Sequence, residues 1–277
     1  MDYKTIWVSD IHLGTRDCKA TYLIDFLKSN NCEKLYLVGD IIDGWKLKSG
    51  FYWPQEHTNV IRRILTKAKR GTEVIYVLGN HDHFLRQWLE YDMTFGNIRI
   101  TNEDIHITET GKRFLVTHGD LFDGITRYAV WISKLGDTGY TFLLRVNRYF
   151  NKFRNLFGMK YWSLSAFIKH KVKAAVNFIT SFETVLAAEV RNRGLDGVIC
   201  GHIHTPDIKY IDKHILYMND GDFQESCSAL VETKNGDFII FQYQNCWHPT
   251  HVIDSRSGQI LKGEHCTQWF EQNRTLI

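Results

Sequence analysis

The sequence predicts an α/β protein whose first strands form a parallel sheet. Three short apolar runs, Thr5–Val8, Leu35–Val38 and Val74–Leu78, have the composition of buried strands. Between them, Ala20–Lys28 and Val60–Lys69 carry apolar residues at helical spacing. Because a helix that connects two strands of one sheet usually joins parallel strands, this order predicts a β-α-β-α-β unit.

Strand-like segments continue along the rest of the chain. Further strands are predicted at Ile98–Ile100, Ile105–Thr108, Arg113–Thr117 and Gly197–Cys200. The tail from Ile215 to Gln242 alternates apolar and polar residues, with turn signals between the alternating segments. We expect residues 1–277 to form a single domain with one insertion.

Composition excludes several classes of protein. With 277 residues and 44% hydrophobic content, the chain is long and apolar enough to bury a core, which excludes a disordered chain. No apolar run approaches the roughly 18 residues of a membrane-spanning helix. The N-terminus lacks a basic start followed by an apolar stretch, so we expect no secretion signal. The six cysteines contain no CxxC pair, which indicates reduced thiols and a cytoplasmic protein.

Residues 125–180 are predicted to form an inserted helical cap that is basic and aromatic. Between Thr141 and Ser181 the sequence has no acidic residue and eight Lys or Arg residues, with Phe, Tyr and Trp interleaved. The basic residues could belong to a solvated face, and the aromatic residues could be helix-packing core. The absence of acids over this length favours an anionic partner.

Five short polar motifs follow predicted strands. They are Asp10-x-His12, Gly39-Asp40, Gly79-Asn80-His81-Asp82, His118 and Gly201-His202-x-His204. Ligand sites of open α/β sheets lie at the carboxyl ends of strands, so these side chains should meet at one edge. Each motif alone is more often structural, and the prediction of a site depends on the ordered set.

The residue types fit a centre with two metal ions. Imidazole, carboxylate and amide oxygen suit divalent Mn, Fe or Zn, and the lack of cysteine argues against a structural zinc site. On an extended segment alternate residues point to the same side, so Asp10 and His12 are expected to reach one ion, as are His202 and His204. Asp40, on a tight turn, is the expected bridge. Such a centre attracts phosphate and activates water.

Acid–base chemistry is expected beside these ligands. His81 follows the ligand Asn80 and is predicted to protonate the leaving oxygen or to neutralise developing charge. Asp82 is predicted to orient His81 by accepting its other N–H. Asp43 and Asp123 follow metal-loop motifs, and for both a turn-forming role and a role beside metals or substrate stay open.

The motif set from Asp10 to His204 resembles the calcineurin-like metallophosphoesterase family. The resemblance implies a sandwich of two mixed β-sheets flanked by helices, with two bound metal ions. It also implies that one ion is held by Asp10, His12, Asp40 and His204, and the second by Asp40, Asn80, His118 and His202. We expect two divalent ions, with Mn²⁺ first and Fe or Zn as alternatives.

A finer resemblance links the chain to the UDP-2,3-diacylglucosamine diphosphatases of lipid A synthesis. It rests on SDIHLG, on HGDLF and on the basic helical insertion before GHIH. These enzymes hydrolyse the diphosphate of a nucleotide-linked diacyl sugar to UMP and a lipid monophosphate. The resemblance implies an anionic lipid substrate, peripheral association with the inner membrane and no nucleic-acid partner; it leaves the oligomeric state undetermined.

Substrate contacts are expected from the metal loops and from the cap. The expected residues are Asn80, His81, Asp123, Arg145, Arg148, Lys169, Lys173 and His202. In the best-known branch an Arg follows the metal-binding Asn, and here it is His81, which leaves the substrate open. The alternative is the same chemistry on a soluble nucleotide, a phosphodiester or a nucleic acid, since basic-aromatic interleaving also suits single strands. A non-catalytic scaffold would have lost ligands, and none is missing.

Overall fold

Two β-sheets are present in the computed structural model, which describes residues 1–91, 94–95, 97–122, 182–211 and 214–273. The strands are β1 (Asp2–Val8), β2 (Asn31–Val38), β3 (Glu73–Val77), β4 (Thr94–Phe95), β5 (Ile98–Thr101), β6 (Glu103–Ile107), β7 (Arg113–Thr117), β8 (Gly197–Cys200), β9 (Asp207–Ile211), β10 (Ile215–Asn219), β11 (Ser228–Glu232), β12 (Phe238–Gln244), β13 (Cys246–Ile253) and β14 (Ile260–Lys262).

The larger sheet has the order β14-β13-β12-β11-β1-β2-β3-β5-β4, and the smaller has the order β6-β7-β8-β10-β9. Strands β1, β2, β3 and β5 pair in parallel, as the alternation of strands and helices predicts. Strands β11 to β14 extend that sheet in antiparallel fashion. The smaller sheet also combines parallel and antiparallel pairs. Both sheets are therefore mixed.

The helices are α1 (Ala20–Ser29), α2 (Gly44–Ser49), α3 (Gln55–Lys69), α4 (residues 182–192) and α5 (Glu264–Asn273), with 3-10 turns at His83–Tyr91 and Asp120–Phe122. Helices α1 and α3 bury apolar stripes that include Leu23, Phe26, Val60 and Ile64. No helix in the described ranges has both the length and the apolar character needed to cross a bilayer.

Both faces of the parallel strands are buried. On β2, Leu35 and Leu37 join the core beneath α1 and α3, whereas Tyr36 and Val38 join a second core that also contains Phe114 and other residues of the smaller sheet. Successive side chains of a strand point to opposite faces. The sequence of a strand that is covered on both faces is therefore an unbroken run of apolar residues. The predicted sandwich of two mixed sheets with flanking helices is confirmed.

Two compact units divide the chain. The first consists of Met1–Asp120 with Ala187–Ile277 and contains both sheets; the second is Leu121–Leu186. The cap predicted at residues 125–180 lies outside the described residues, and its helical structure stays a prediction.

Candidate metal centre

The predicted ligands lie on five loops of the first unit, each loop following a strand. Asp10 and His12 follow β1, Asp40 follows β2, and Asn80 follows β3. In the smaller sheet His118 follows β7, and His202 and His204 follow β8. Backbone hydrogen bonds hold neighbouring loops together, since Asp10 N donates to Gly39 O at 3.0 Å and Gly201 N to His118 O at 3.3 Å. The two sheets thus bring their loops to a common edge.

One group of donor atoms surrounds Asp10. Its Oδ1 lies 3.0 Å from His204 Nε2 and 3.9 Å from His12 Nε2. The three residues offer ligand atoms that are all within 4.8 Å of one another. The other carboxylate oxygen of Asp10 accepts the backbone N–H of His202 at 2.9 Å, which fixes the orientation of the group. These three residues belong to the set of four that the resemblance implies for one ion.

A second group is formed by Asp10, Asp40 and His118, and it shares Asp10 with the first. Asp40 Oδ2 lies 3.4 Å from His118 Nε2 and 3.8 Å from His12 Nε2, so one oxygen stands between imidazoles of both groups. The ring centroids of His118 and His202 are 5.0 Å apart. Asp40 Oδ1 accepts the backbone N–H of His81 at 2.8 Å. Asp40 therefore lies beside imidazoles of both groups, and its role as the bridge between two ions stays a prediction.

The atoms that would face metal ions make no hydrogen bonds within the part of the chain that the structure describes. Asp10 Oδ1, His12 Nε2, Asn80 Oδ1 and His118 Nε2 are all buried without a well-aligned hydrogen bond, and Asp10 Oδ1 has only its ion-pair contact with His204. Leaving such groups unsatisfied is costly, and they cluster here as carboxylate, imidazole and amide donors. His118 Nδ1 contacts the carbonyl of Val38 at 2.9 Å, which directs Nε2 toward the centre. The residues fit two divalent ions.

The electrostatics of the centre favour positive charge. Burial by itself would raise the pKa of Asp10, but His204 and His118 lower that pKa below its usual value. Conversely, burial would lower the pKa of His204, yet Asp10 raises it to about 9. Burial likewise opposes protonation of His118, and the carboxylates of Asp40 and Asp10 raise its pKa well above the usual range. The carboxylates therefore stay ionised and attract cations.

The backbone of the ligand loops is not extended. Among the described residues seven non-glycine residues have a positive φ, and five of these are predicted ligands: Asp10, His12, Asp40, His202 and His204. Strand β1 ends at Val8, so the expectation that Asp10 and His12 alternate on an extended segment is wrong. Their side chains converge because both residues are left-handed, with φ of 48° and 52°. Such residues cost about 1–3 kcal/mol each and cluster at functional sites.

The carboxylate beside His81 is Asp43, and the predicted contact with Asp82 is wrong. Asp43 Oδ1 lies 3.0 Å from His81 Nδ1, and Asp43 Oδ2 lies 3.3 Å from His12 Nδ1. Asp82 instead accepts the hydroxyl of Tyr76 at 2.6 Å and the N–H of Ile42 at 2.9 Å. Asp82 therefore ties the loop after β3 to the loop after β2. Asp43 is the residue that orients both imidazoles.

Behind Asp10 lies a buried polar group that sequence patterns do not reveal. Ser9 Oγ donates to Asp220 Oδ1 at 2.6 Å and to the carbonyl of Gly221 at 3.0 Å, which fixes the residue next to Asp10. The NDGD segment at positions 219–222 resembles a simple turn signal in the sequence. Asp220, the first acidic residue of this segment, is fully buried, and burial raises the pKa of its carboxyl well above the usual range.

Five predicted substrate contacts cannot be placed. Asp123, Arg145, Arg148, Lys169 and Lys173 all lie outside the described residues. Asn80, His81 and His202 lie at the centre as described, and the substrate contacts predicted for them stay predictions.

Replacing Gly79 by alanine is expected to weaken metal binding. A Cβ at this position would lie 2.2 Å from Asp40 Oδ1, so the bridging carboxylate has to move. We expect a loss of about 10–100-fold in metal affinity, as for other changes to groups that hold ligands in place. Isothermal titration calorimetry with Mn²⁺ measures this affinity in the variant and in the wild type.

The matched control for that prediction is Gly50→Ala. Gly50 has an extended φ of 176°, and a Cβ added there would have no atom within 4 Å, so wild-type affinity is expected. Equal affinities in the two variants would contradict the close packing of Gly79 against Asp40.

Comparisons with known proteins agree with this geometry. Residues 3–206 match the family model described as calcineurin-like phosphoesterase. The chain is 24% identical over 127 residues to UDP-2,3-diacylglucosamine hydrolase of Porphyromonas gingivalis, covering 43% of this chain and 47% of that protein. It is 21% identical over 259 residues to the protein of the same name from Wigglesworthia glossinidia brevipalpis, covering 90% of this chain and 98% of that protein.

Among solved structures, Yfce, a phosphoesterase from E. coli, is 16% identical, with a TM-score of 0.43 and coverage of 93% of this chain and 96% of that one. The match to the first curated relative spans less than half of that relative's length. The family match, in contrast, extends over most of this chain and includes all the predicted metal ligands. The chain belongs to the calcineurin-like phosphoesterase family.

Proposed function

We propose that this protein hydrolyses the diphosphate of a UDP-linked diacylglucosamine, releasing UMP and a lipid monophosphate. The observation that carries the chemistry is the position of Asp40 Oδ2 between imidazoles of both donor groups, surrounded by buried donor atoms without well-aligned hydrogen bonds. The choice of substrate is supported by the two curated relatives named for it and by the basic, acid-free segment from Thr141 to Ser181.

Seven residues would hold the two ions. One ion would be held by Asp10, His12, Asp40 and His204, and the other by Asp40, Asn80, His118 and His202. When bound, divalent ions polarise phosphoryl oxygens and lower the pKa of water, which supplies a nucleophile for in-line attack. We propose Mn²⁺ as the metal, because the mixture of imidazole and oxygen donors suits it.

His81 is placed to move a proton. Its Nδ1 faces Asp43 Oδ1 at 3.0 Å, and its Nε2 lies 3.8 Å from Asp40 Oδ2, toward the centre. Asp43 contacts the ring at Nδ1, and we propose that Nε2 delivers a proton to the leaving oxygen. The side chain is 20% exposed, so it can be reached from solvent.

The site of action follows from the substrate. A diacyl sugar nucleotide resides in a membrane, so we propose that the protein works in the cytoplasm at the inner-membrane surface. The cap predicted at residues 125–180 is proposed to hold the second phosphate and to shelter the acyl chains.

A substrate panel tests the proposal. Mn²⁺-loaded protein is assayed with UDP-2,3-diacylglucosamine, a soluble UDP-sugar, bis(p-nitrophenyl) phosphate and a single-stranded oligonucleotide. The proposal requires the largest kcat/KM for the lipid and stoichiometric release of UMP. A larger kcat/KM for the soluble nucleotide or for the oligonucleotide would support the alternative substrate classes and reject the lipid.

Cap variants are expected to lose the lipid substrate selectively. Replacing Arg145 and Arg148, or Lys169 and Lys173, by alanine removes cations proposed to pair with the second phosphate. We expect kcat/KM for the diphosphate lipid to fall about 100-fold or more, because remote contacts position the reacting phosphorus. Hydrolysis of bis(p-nitrophenyl) phosphate should stay within a few fold, at unchanged metal content. Equal losses on both substrates would show that the cap supports the fold instead.

A further inference from the structure

A short aromatic and basic segment borders the metal centre. The rim segment, defined as residues 45–51, contains all of α2 except its first residue, together with the two residues after it. Trp45 is 43% exposed and Phe51 is 81% exposed, the largest exposure among the large hydrophobic residues of the described ranges. Lys46 and Lys48 are also exposed, and the rim segment has no acidic residue. The surface is both apolar and positively charged.

The rim segment is tied to the catalytic residues. The ring centroids of Trp45 and His81 are 4.1 Å apart. Asp43 accepts the backbone N–H of Lys46 at 2.8 Å, which caps α2, and the same side chain lies 3.0 Å from His81. Whatever surface the rim segment contacts is therefore held next to the metal centre.

The chemistry of the rim segment fits one kind of partner. Single exposed apolar residues are common on protein surfaces, but here an indole, a phenyl ring and two ammonium groups occur within seven positions. Aromatic side chains favour the interface between lipid and water, and lysines are attracted to anionic headgroups. A protein partner would need acidic groups to match the lysines, whereas an anionic bilayer supplies both the charge and an apolar interior.

We propose that the rim segment docks on an anionic bilayer surface, with the Phe51 side chain inserted at the acyl boundary and Lys46 and Lys48 at the phosphates. This docking deepens the proposed function, because it brings the metal centre to the membrane in which a lipid-linked substrate resides. Docking itself requires no catalysis, so the two can be tested separately.

Vesicle co-sedimentation tests the docking on the full chain. The vesicles contain about one third phosphatidylglycerol in phosphatidylcholine, and pure phosphatidylcholine vesicles serve for comparison. We expect the Phe51→Ser variant to partition about tenfold less, because a buried phenyl ring is lost. At low salt the Lys46→Gln/Lys48→Gln double variant should partition about 25-fold less than the wild type, from about fivefold for each lysine near an anionic surface. This difference should shrink as salt rises, because salt screens the attraction of the wild-type lysines.

Matched controls separate the rim segment from general surface effects. Ile107, on the edge strand β6, is 63% exposed, and Ile107→Ser should partition as the wild type does. The exposed lysines Lys28 and Lys234 provide the double control Lys28→Gln/Lys234→Gln. Circular dichroism and hydrolysis of bis(p-nitrophenyl) phosphate, which needs only the metals, should match the wild type in every variant.

The outcomes are distinct. Partitioning of the Phe51 and lysine variants equal to that of the wild type would overturn the docking, as would equal binding to uncharged vesicles. Binding of the wild type to a single-stranded oligonucleotide in place of vesicles would assign the rim segment to nucleic acid and also overturn it. Selective loss of vesicle binding with no turnover of UDP-2,3-diacylglucosamine would support the docking and reject the proposed substrate.

Discussion

Asp40→Ala is expected to abolish hydrolysis of every substrate and to release both metal ions. Asp40 Oδ2 lies within 3.8 Å of imidazole nitrogens from both donor groups, so its removal takes a ligand from each proposed ion. The substitution also removes the acceptor for the backbone N–H of His81, which holds the loop carrying Asn80. Metal content by elemental analysis, together with turnover of bis(p-nitrophenyl) phosphate, measures both effects.

The control for Asp40→Ala is the exposed Asp17, whose replacement by alanine should leave metal content and activity unchanged. Retention of two ions per chain by the Asp40 variant would reject the bridging role. Retention of one ion would show that the two groups bind their metals independently.

His81→Ala is expected to lower turnover by about 10²–10⁴-fold while both ions stay bound, because a positioned general acid contributes that much to a rate. His81 faces the centre through Nε2 and is held by Asp43 at Nδ1, but it is not among the seven proposed ligands. The measurement is kcat at saturating Mn²⁺ for an ester with a poor leaving group. Such a leaving group depends most on protonation of its oxygen.

One further variant and a second substrate sharpen the interpretation of His81→Ala. His83→Ala removes an exposed histidine two positions along the chain and should retain wild-type turnover. An ester with a good leaving group, such as p-nitrophenol, should lose less activity in the His81 variant than the poor one does. Loss of metal from His81→Ala, or equal losses for both leaving groups, would contradict a proton-donating role.

The fold was predictable where burial dictates the sequence. Strands Arg113–Thr117 and Gly197–Cys200 have the predicted bounds, because apolar runs of this kind occur where both faces of a strand are covered. Strand Cys246–Ile253 was not predicted. It contains Pro249 and several polar residues, and it pairs with β12 through a register shift between Ile240 and Phe241. Pairing with β12 and β14 stabilises its strand conformation despite the proline and the polar residues.

The candidate site was predictable in its residue types and not in its contacts. Spacing identified the histidines and carboxylates, because metal chemistry restricts the donors and strand ends restrict their positions. Adjacency in sequence suggested Asp82 as the partner of His81, but the turn after Asn80 sends Asp82 inward to the N–H groups of Ile41 and Ile42. The spacing Asp40-x-x-Asp43 was the available signal for the actual partner, and turn formation offered an equally good explanation of it.

The hydrogen bond from His202 N to Asp10 Oδ2 joins residues 192 positions apart. No short peptide of this chain carries a complete set of donors. An unfolded chain therefore has to close very long loops before it can chelate an ion, and closing them costs conformational entropy. In the folded chain the donors are already together. Ions that bind the native state and not the unfolded one stabilise the native state by mass action, by about 2.7 kcal/mol at a hundredfold excess over Kd. Metal bound at the proposed centre would therefore raise the free energy of unfolding of the first unit, besides supplying its chemistry.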